Sequence, residues 1–153
     1  MKQLKSYLFP AVFAVGFAAF VFAGRTGAVD AEYSLNAEPE VVAASFVSAW
    51  CSSCKILEPR LADVIPEFAD QPIKFVKLDF TFGQRDEIQA QAEAEGVGKI
   101  YPQFKGATGF TVLVDRDTGE IIDILTINHS KKAMRAAIAQ AVAQASLDLQ
   151  QSN

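Results

Sequence analysis

Val41–Ala49, VVAASFVSA, is an almost uninterrupted run of small and apolar side chains, and no other stretch constrains the fold as strongly. Strands with one wet face alternate polar and apolar residues, whereas a run without alternation is the pattern of a strand buried on both faces. A sheet that contains it needs a covering layer on each side, and segments with helical periodicity are available to supply both. Ile56, Leu57, Leu61, Val64, Ile65 and Phe68 recur at helical spacing. Pro59 falls inside that helix, where its ring removes a hydrogen bond and is expected to bend the axis. IKFVKLDF (Ile73–Phe80) reads as a second strand, and the Ala-, Gln- and Glu-rich stretch Gln84–Glu95 as a helix by propensity. Residues 96–109 hold four glycines and one proline and read as a loop with at most a short helical turn. Phe110–Asp115 and Glu120–Ile127 are strands around Arg116-Asp117-Thr118-Gly119, a hairpin signal with Gly where positive φ is needed. Ser130 is placed to cap a last helix, Lys131–Leu149, with Met134, Ile138, Val142 and Ala145 on one side. The order β-α-β-α-β-β-α predicts an α/β fold. Its small mixed sheet is parallel through a right-handed first crossover and antiparallel at the hairpin, with helices on both faces.

The first 28 residues are different material. Lys2 and Lys5 form a short positive stretch, and no charge follows from Ser6 to Gly24. The run FPAVFAVGFAAFVFAG lies at the lower edge of bilayer-spanning length and is slightly long for the core of a signal peptide. Val21-Phe22-Ala23 and Thr26-Gly27-Ala28 both offer small-residue cleavage patterns, so residues 1–28 are expected to be a signal peptide or a retained N-terminal membrane anchor. Either way, basic residues ahead of the segment place the remainder outside the cytoplasm, exported to a periplasm-like compartment. Residues 29–39 read as a linker, and 40–150 as the folded domain. Without the three basic residues of the leader, 11 basic face 18 acidic side chains, a formal −7. That balance excludes the basic face a nucleic-acid partner requires.

The chain has two cysteines, Cys51 and Cys54, in Trp50-Cys51-Ser52-Ser53-Cys54-Lys55. Disulfides persist outside the cytoplasm, but a bridge across three positions closes too short a loop to be a useful staple. The pair is better explained by chemistry. Between a buried strand and a helix, Cys51 falls at the helix N-terminus, where unpaired N–H groups and the positive end of the dipole favour a thiolate. Thiols so placed have pKa values lowered from about 8.5 to roughly 3.5–7. Cys54, one turn on, is positioned to attack a mixed disulfide. Zinc sites also use this spacing but want four ligands, and the chain adds only His129. No metal and no cofactor is expected.

AWCSSCKILEPRL, with Trp before the first cysteine, Lys after the second and Pro59 five residues beyond it, resembles the active-site segment of the thioredoxin family. The element order is similar to that fold over about residues 40–149. The resemblance implies a protein-disulfide oxidoreductase: Cys51 as nucleophile, Cys54 as resolving thiol, Trp50, Ser52, Ser53, Lys55 and Pro59 in support, protein thiols and disulfides as clients, and a redox protein as electron donor. The leader brings it nearest the exported, often membrane-tethered members, acting as reductants. Three departures stand out. The family's cis-proline, which faces the cysteines, aligns with Phe110, and the nearest proline, Pro102, lies in the preceding loop; replacement by Phe110 is the expectation. The buried acid aligns with Ser45, which cannot act as a base at neutral pH. Lys77 does align with the family's buried lysine, and alone would only bias Cys54 electrostatically. The third departure is Ser52-Ser53 between the cysteines, where the family has Gly-Pro. Gly109, Phe110 and Thr111 are the expected substrate surface, with the Gly106–Gly109 loop beside them. The rival expectation is a non-catalytic thioredoxin-like protein that binds a partner or holds a metal. Phe80 and Phe82 are core by default or line a groove near the site, and His129 is a surface residue.

Overall fold

The computed structural model describes residues 39–152. The expected leader and nearly all of the linker lie outside the described residues. Strand β1 (Val41–Val47) leads through the cysteines into helix α1 (Cys54–Ala62) and a 3-10 turn (Ile65–Phe68), then β2 (Ile73–Asp79) and α2 (Arg85–Ala94). A single helical turn, α3 (Tyr101–Phe104), interrupts the glycine-rich loop before β3 (Phe110–Asp115), β4 (Ile121–Thr126) and the long α4 (Lys131–Ser152). Among the described residues no helix is long and apolar enough to cross a membrane.

The sheet order is β2-β1-β3-β4, with β1 parallel to β2, and β3 antiparallel to both β1 and β4. The apolar run thus sits in the interior of the sheet, and Val41–Ala44 and Phe46 are wholly buried. Alternation along β1 sends Val41 and Ala43 to one face, where Leu57 and Leu61 of α1 and Met134 and Ile138 of α4 cover them. Val42, Ala44 and Phe46 face the other way, onto Ile88 and Ala92 of α2 and Ile100 and Tyr101 of the loop. A mixed sheet covered on both faces is what the patterning predicts.

Two local differences have physical causes. The helix expected to reach Phe68 runs through Pro59 but stops at Ala62. Pro66 has no N–H to give the Ala62 carbonyl and its ring crowds that oxygen, so the chain tightens into the 3-10 turn instead. In α4, Ser130 Oγ accepts the Ala133 N–H at 3.2 Å, the expected cap. Lys131 and Arg135 then ion-pair with Asp63 and Glu67, tying α4 to the end of α1 and to the 3-10 turn. The Arg135 guanidinium holds the Glu67 carboxyl below its ordinary value.

Candidate active site

The backbone leaves β1 in a tight turn: the Cys51 N–H donates to the Ser48 carbonyl at 3.1 Å, and the Trp50 N–H to Ser48 Oγ at 3.3 Å. α1 begins at Cys54, three residues later than Cys51. Cys51 nevertheless takes the place of a capping side chain, because the Cys54 N–H donates to its Sγ at 3.1 Å and the Lys55 N–H reaches its carbonyl at 3.4 Å. An unpaired helix-start N–H directed at sulfur is the arrangement that favours a thiolate there. The two cysteines form a disulfide with Cα atoms 5.3 Å apart. Cys51 is partly exposed while Cys54 is wholly buried, so only one sulfur is open to a large partner. Ser52, Lys55 and Pro59 are exposed on the surrounding surface, and Ser53 lies at the start of α1.

Of the three residues expected to form the substrate surface, one, Gly109, lies directly against the cysteine turn. Gly109 adopts φ +100°, and a Cβ placed on it would lie 3.2 Å from Cys51 Sγ and 2.9 Å from Ser53 Cβ. Its backbone therefore lies against the cysteine turn where no other residue fits without strain. Its N–H donates to the Phe46 carbonyl at 2.8 Å, which fixes that approach. Phe110 begins β3, as expected of a residue replacing the proline, but pairs with Phe46 in register. Strand alternation turns its ring to the face opposite α1, where it stacks on Phe46 with centroids 5.1 Å apart and meets Phe104 at 5.2 Å. Thr111 points to the α1 face but is completely buried, its hydroxyl 2.8 Å from that of Ser45. Thr111 therefore has no surface to offer, and Phe110 is half-buried with its ring packed in the aromatic cluster. Pro102 is exposed in α3, and among the described residues there is no cis peptide bond.

Lys77 also differs from expectation. β2 is an edge strand, so the lysine side chain can reach solvent rather than stay buried as the aligned family lysine does. It is exposed and bonds Glu58 Oε1 at 2.6 Å, and this contact raises the ammonium pKa above its ordinary value. Glu58, Lys77, Ser45, Leu61, Ile65 and Phe75 line an open cleft of about 290 Å³ between α1 and β2. Among the described residues no three His, Cys, Asp or Glu side chains gather as metal ligands would. His129 is partly buried and accepts the Thr126 N–H through Nδ1 at 3.1 Å, bracing the β4–α4 loop. Arg60 Nη1 holds the same loop through the Ile127 carbonyl at 2.7 Å.

Phe80 and Phe82 separate. Phe80 stacks at 6.0 Å on Phe46 and at 6.4 Å on Tyr101, in the core. Phe82 is 87% exposed and meets the 77% exposed Trp50 edge to face at 6.5 Å. Of the two readings, core or a groove near the site, core packing holds for Phe80 and not for Phe82, and the sequence carries no signal for the parts played by Thr81 and Glu58. Phe82 lies past the end of β2, where strand alternation no longer assigns a face, and a lone Thr or Glu carries no local signal.

The thioredoxin family model matches residues 29–126. A thioredoxin from Bacillus subtilis (strain 168) is 31% identical over 111 residues, 72% of this chain and 91% of that protein. Among solved structures, a thiol:disulfide interchange protein of the thioredoxin family from Chlorobium tepidum TLS aligns with a TM-score of 0.46 at 17% identity, over 69% of this chain and 81% of that one. A thioredoxin-like protein from Aeropyrum pernix aligns with a TM-score of 0.44 at 16% identity, over 85% and 99%.

Proposed function

Because the chain belongs to the thioredoxin family and is a thiol–disulfide oxidoreductase carrying that family's cysteine pair, we propose that it reduces disulfides of client proteins outside the cytoplasm. The observation that carries the assignment of roles is the asymmetry of the pair: Cys51 partly exposed with the Cys54 N–H on its sulfur, Cys54 wholly buried. The Cys51 thiolate attacks a client disulfide sulfur, forming a mixed disulfide as the client S–S bond breaks and one client thiolate leaves. Cys54, deprotonated, attacks Cys51 Sγ and closes the intramolecular disulfide. The second client thiolate is released, takes up a proton, and the client has gained two electrons. A dithiol redox protein returns those electrons by the reverse exchange.

Burial of Cys54 gives the order of events, since a client can reach only Cys51. Closing the disulfide within one turn makes the second step intramolecular, and so fast relative to capture by a second client. The export half of the proposal is supported by the charge-free run Ser6–Gly24 behind Lys2 and Lys5. Two measurements test the whole. Insulin-disulfide reduction by the full chain should fall to the uncatalysed rate in Cys51→Ser; a variant as active as wild type would end the assignment. The Cys51–Cys54 reduction potential should lie near the reducing end of the family range, about −270 mV, and a value near about −120 mV would make the protein an oxidant instead.

A further inference from the structure

Resting on that exchange chemistry, we infer that Trp50 and Phe82 form a two-ring jaw that takes a bulky apolar side chain of the client next to its reacting cysteine. Phe82 thereby becomes a determinant of which disulfides are reduced. Leaving two aromatic rings in water forgoes the hydrophobic stabilisation that burying them would bring. These two are the most exposed large apolar side chains of the described residues, and they touch each other.

Their juxtaposition is held by a brace between two loops. The Ala49 N–H donates to Thr81 Oγ1 at 2.8 Å, while the Thr81 hydroxyl and N–H both bond Asp79 Oδ1. The Phe80 N–H donates to the Val47 carbonyl at 2.8 Å, and the Phe80 ring is anchored in the core. On the far side, a Cβ at Gly83 would come within 2.9 Å of both the Asp79 carbonyl and Ile88 Cδ1, so the chain after Phe82 is pressed against the sheet end and α2. The residues on either side of Phe82 are thus fixed, and its ring is left outside beside Trp50.

The occupant follows from where the jaw stands. Trp50 is the residue next to Cys51, so a polypeptide whose sulfur reaches Cys51 Sγ brings its neighbouring residues, spaced about 3.8 Å per Cα, to the rings. The rings present no charge, and a T-shaped aromatic pair offers faces and edges suited to a third ring or a branched aliphatic side chain. The chemistry fits an extended disulfide-bearing segment with Phe, Tyr, Leu or Ile beside its cysteine, in preference to one with Lys or Asp there.

The test compares two disulfide-linked peptides that differ only in having Phe or Lys beside the reacting cysteine. Wild type should prefer the Phe peptide in kcat/KM by about tenfold, the scale expected for one partly buried ring. In Phe82→Ser the ratio of the two values should collapse towards one, and Phe82→Leu should restore part of it. Because Phe82 is exposed, the variants should retain the wild-type circular dichroism. Equal rates for both peptides in wild type, or an unchanged ratio in Phe82→Ser, would overturn the jaw while leaving the exchange activity standing. If wild type reduced neither peptide, the exchange assignment and the jaw would fall together. Should Phe82→Ser leave the ratio intact but dissociate a dimer in sedimentation, or abolish co-sedimentation with phosphatidylcholine vesicles, the rings would serve a second copy or a lipid surface, and the proposal would be wrong.

Discussion

The two faces of the sheet are built from different material. On the α1 and α4 face the large, fully buried hydrophobic side chains are aliphatic apart from Met134: Val41, Leu57, Leu113, Leu125 and Ile138, with Phe68 and Phe75 partly buried against them. On the opposite face, Phe46 lies within 5–6 Å of Phe80, Phe104 and Phe110, and Tyr101 stacks beyond them. Each partly buried ring of that cluster stands at the root of a loop that reaches the cysteines: Phe80 before Thr81-Phe82, Phe104 and Phe110 at either end of the segment containing Gly109. A helix brings its own hydrogen-bond ladder, and aliphatic side chains suffice to dock it. A loop has no ladder, and here stacked rings hold its ends. The aliphatic face therefore supports Cys54 through α1, and the aromatic face supports what surrounds Cys51.

The most severe way to break this contrast is Phe46→Ala, which removes the central ring and should cost about 3–5 kcal/mol in urea unfolding. Exchange per folded molecule should also slow, because both loops lose their anchor. Ile138→Val on the aliphatic face should cost about 0.5–1.5 kcal/mol and leave that rate alone. Equal effects on rate from the two variants would erase the distinction.

Gly109→Ala comes next. A side chain at φ +100° costs about 1–3 kcal/mol, and the methyl group would also press on Cys51 Sγ and Ser53. Both stability and insulin reduction should fall; a variant with wild-type kinetics would show that the loop gives way readily.

A smaller effect is expected inside the aliphatic face. Ser45→Ala leaves the buried Thr111 hydroxyl unpaired, at a cost of about 1–3 kcal/mol, and the double variant Ser45→Ala/Thr111→Val should recover most of that loss. Denaturation midpoints of the two variants check this. A double variant no better than the single one would mean that the pair contributes shape rather than a hydrogen bond.

The smallest effect is acid sensitivity of the brace beneath Phe82. The Thr81 hydroxyl and N–H hold the Asp79 carboxyl below its ordinary value, so its contribution is full above the unfolded-state value, about 3.9, and fades as pH falls through the lowered one. The emission of Trp50, the only tryptophan, should shift below about pH 4 in wild type. In Asp79→Asn that transition should be absent.

Much of this was legible beforehand for reasons that can be named. VVAASFV announced an interior strand because burial on both faces leaves no polar alternation. The placement of Cys51 and Cys54 at the start of a helix was legible in a strand-to-helix junction and their spacing. The hairpin at Arg116–Gly119 was legible because Gly119 supplies the positive φ, 68°, that the turn needs. Other features were not. Lys77 aligns with a buried lysine of the family, yet an edge strand leaves a lysine a route to water and to Glu58. Phe110 and Thr111 were expected beside Gly109 at the site, but the pleat sends one to each face of the sheet, Phe110 half-buried in the aromatic cluster and Thr111 wholly buried.

The sequence by itself determined the chemistry: two cysteines one turn apart at the start of a helix, following a strand that only a covered sheet can accommodate. Both are short-range facts, written in spacing and periodicity. Which groups surround the reactive sulfur was decided only by the tertiary structure. Gly109 lies 58 positions from Cys51 and Phe82 lies 32 from Trp50. Their approach depends on loop paths set by the aromatic cluster and by backbone hydrogen bonds between distant segments, and no local pattern encodes where a loop comes to rest.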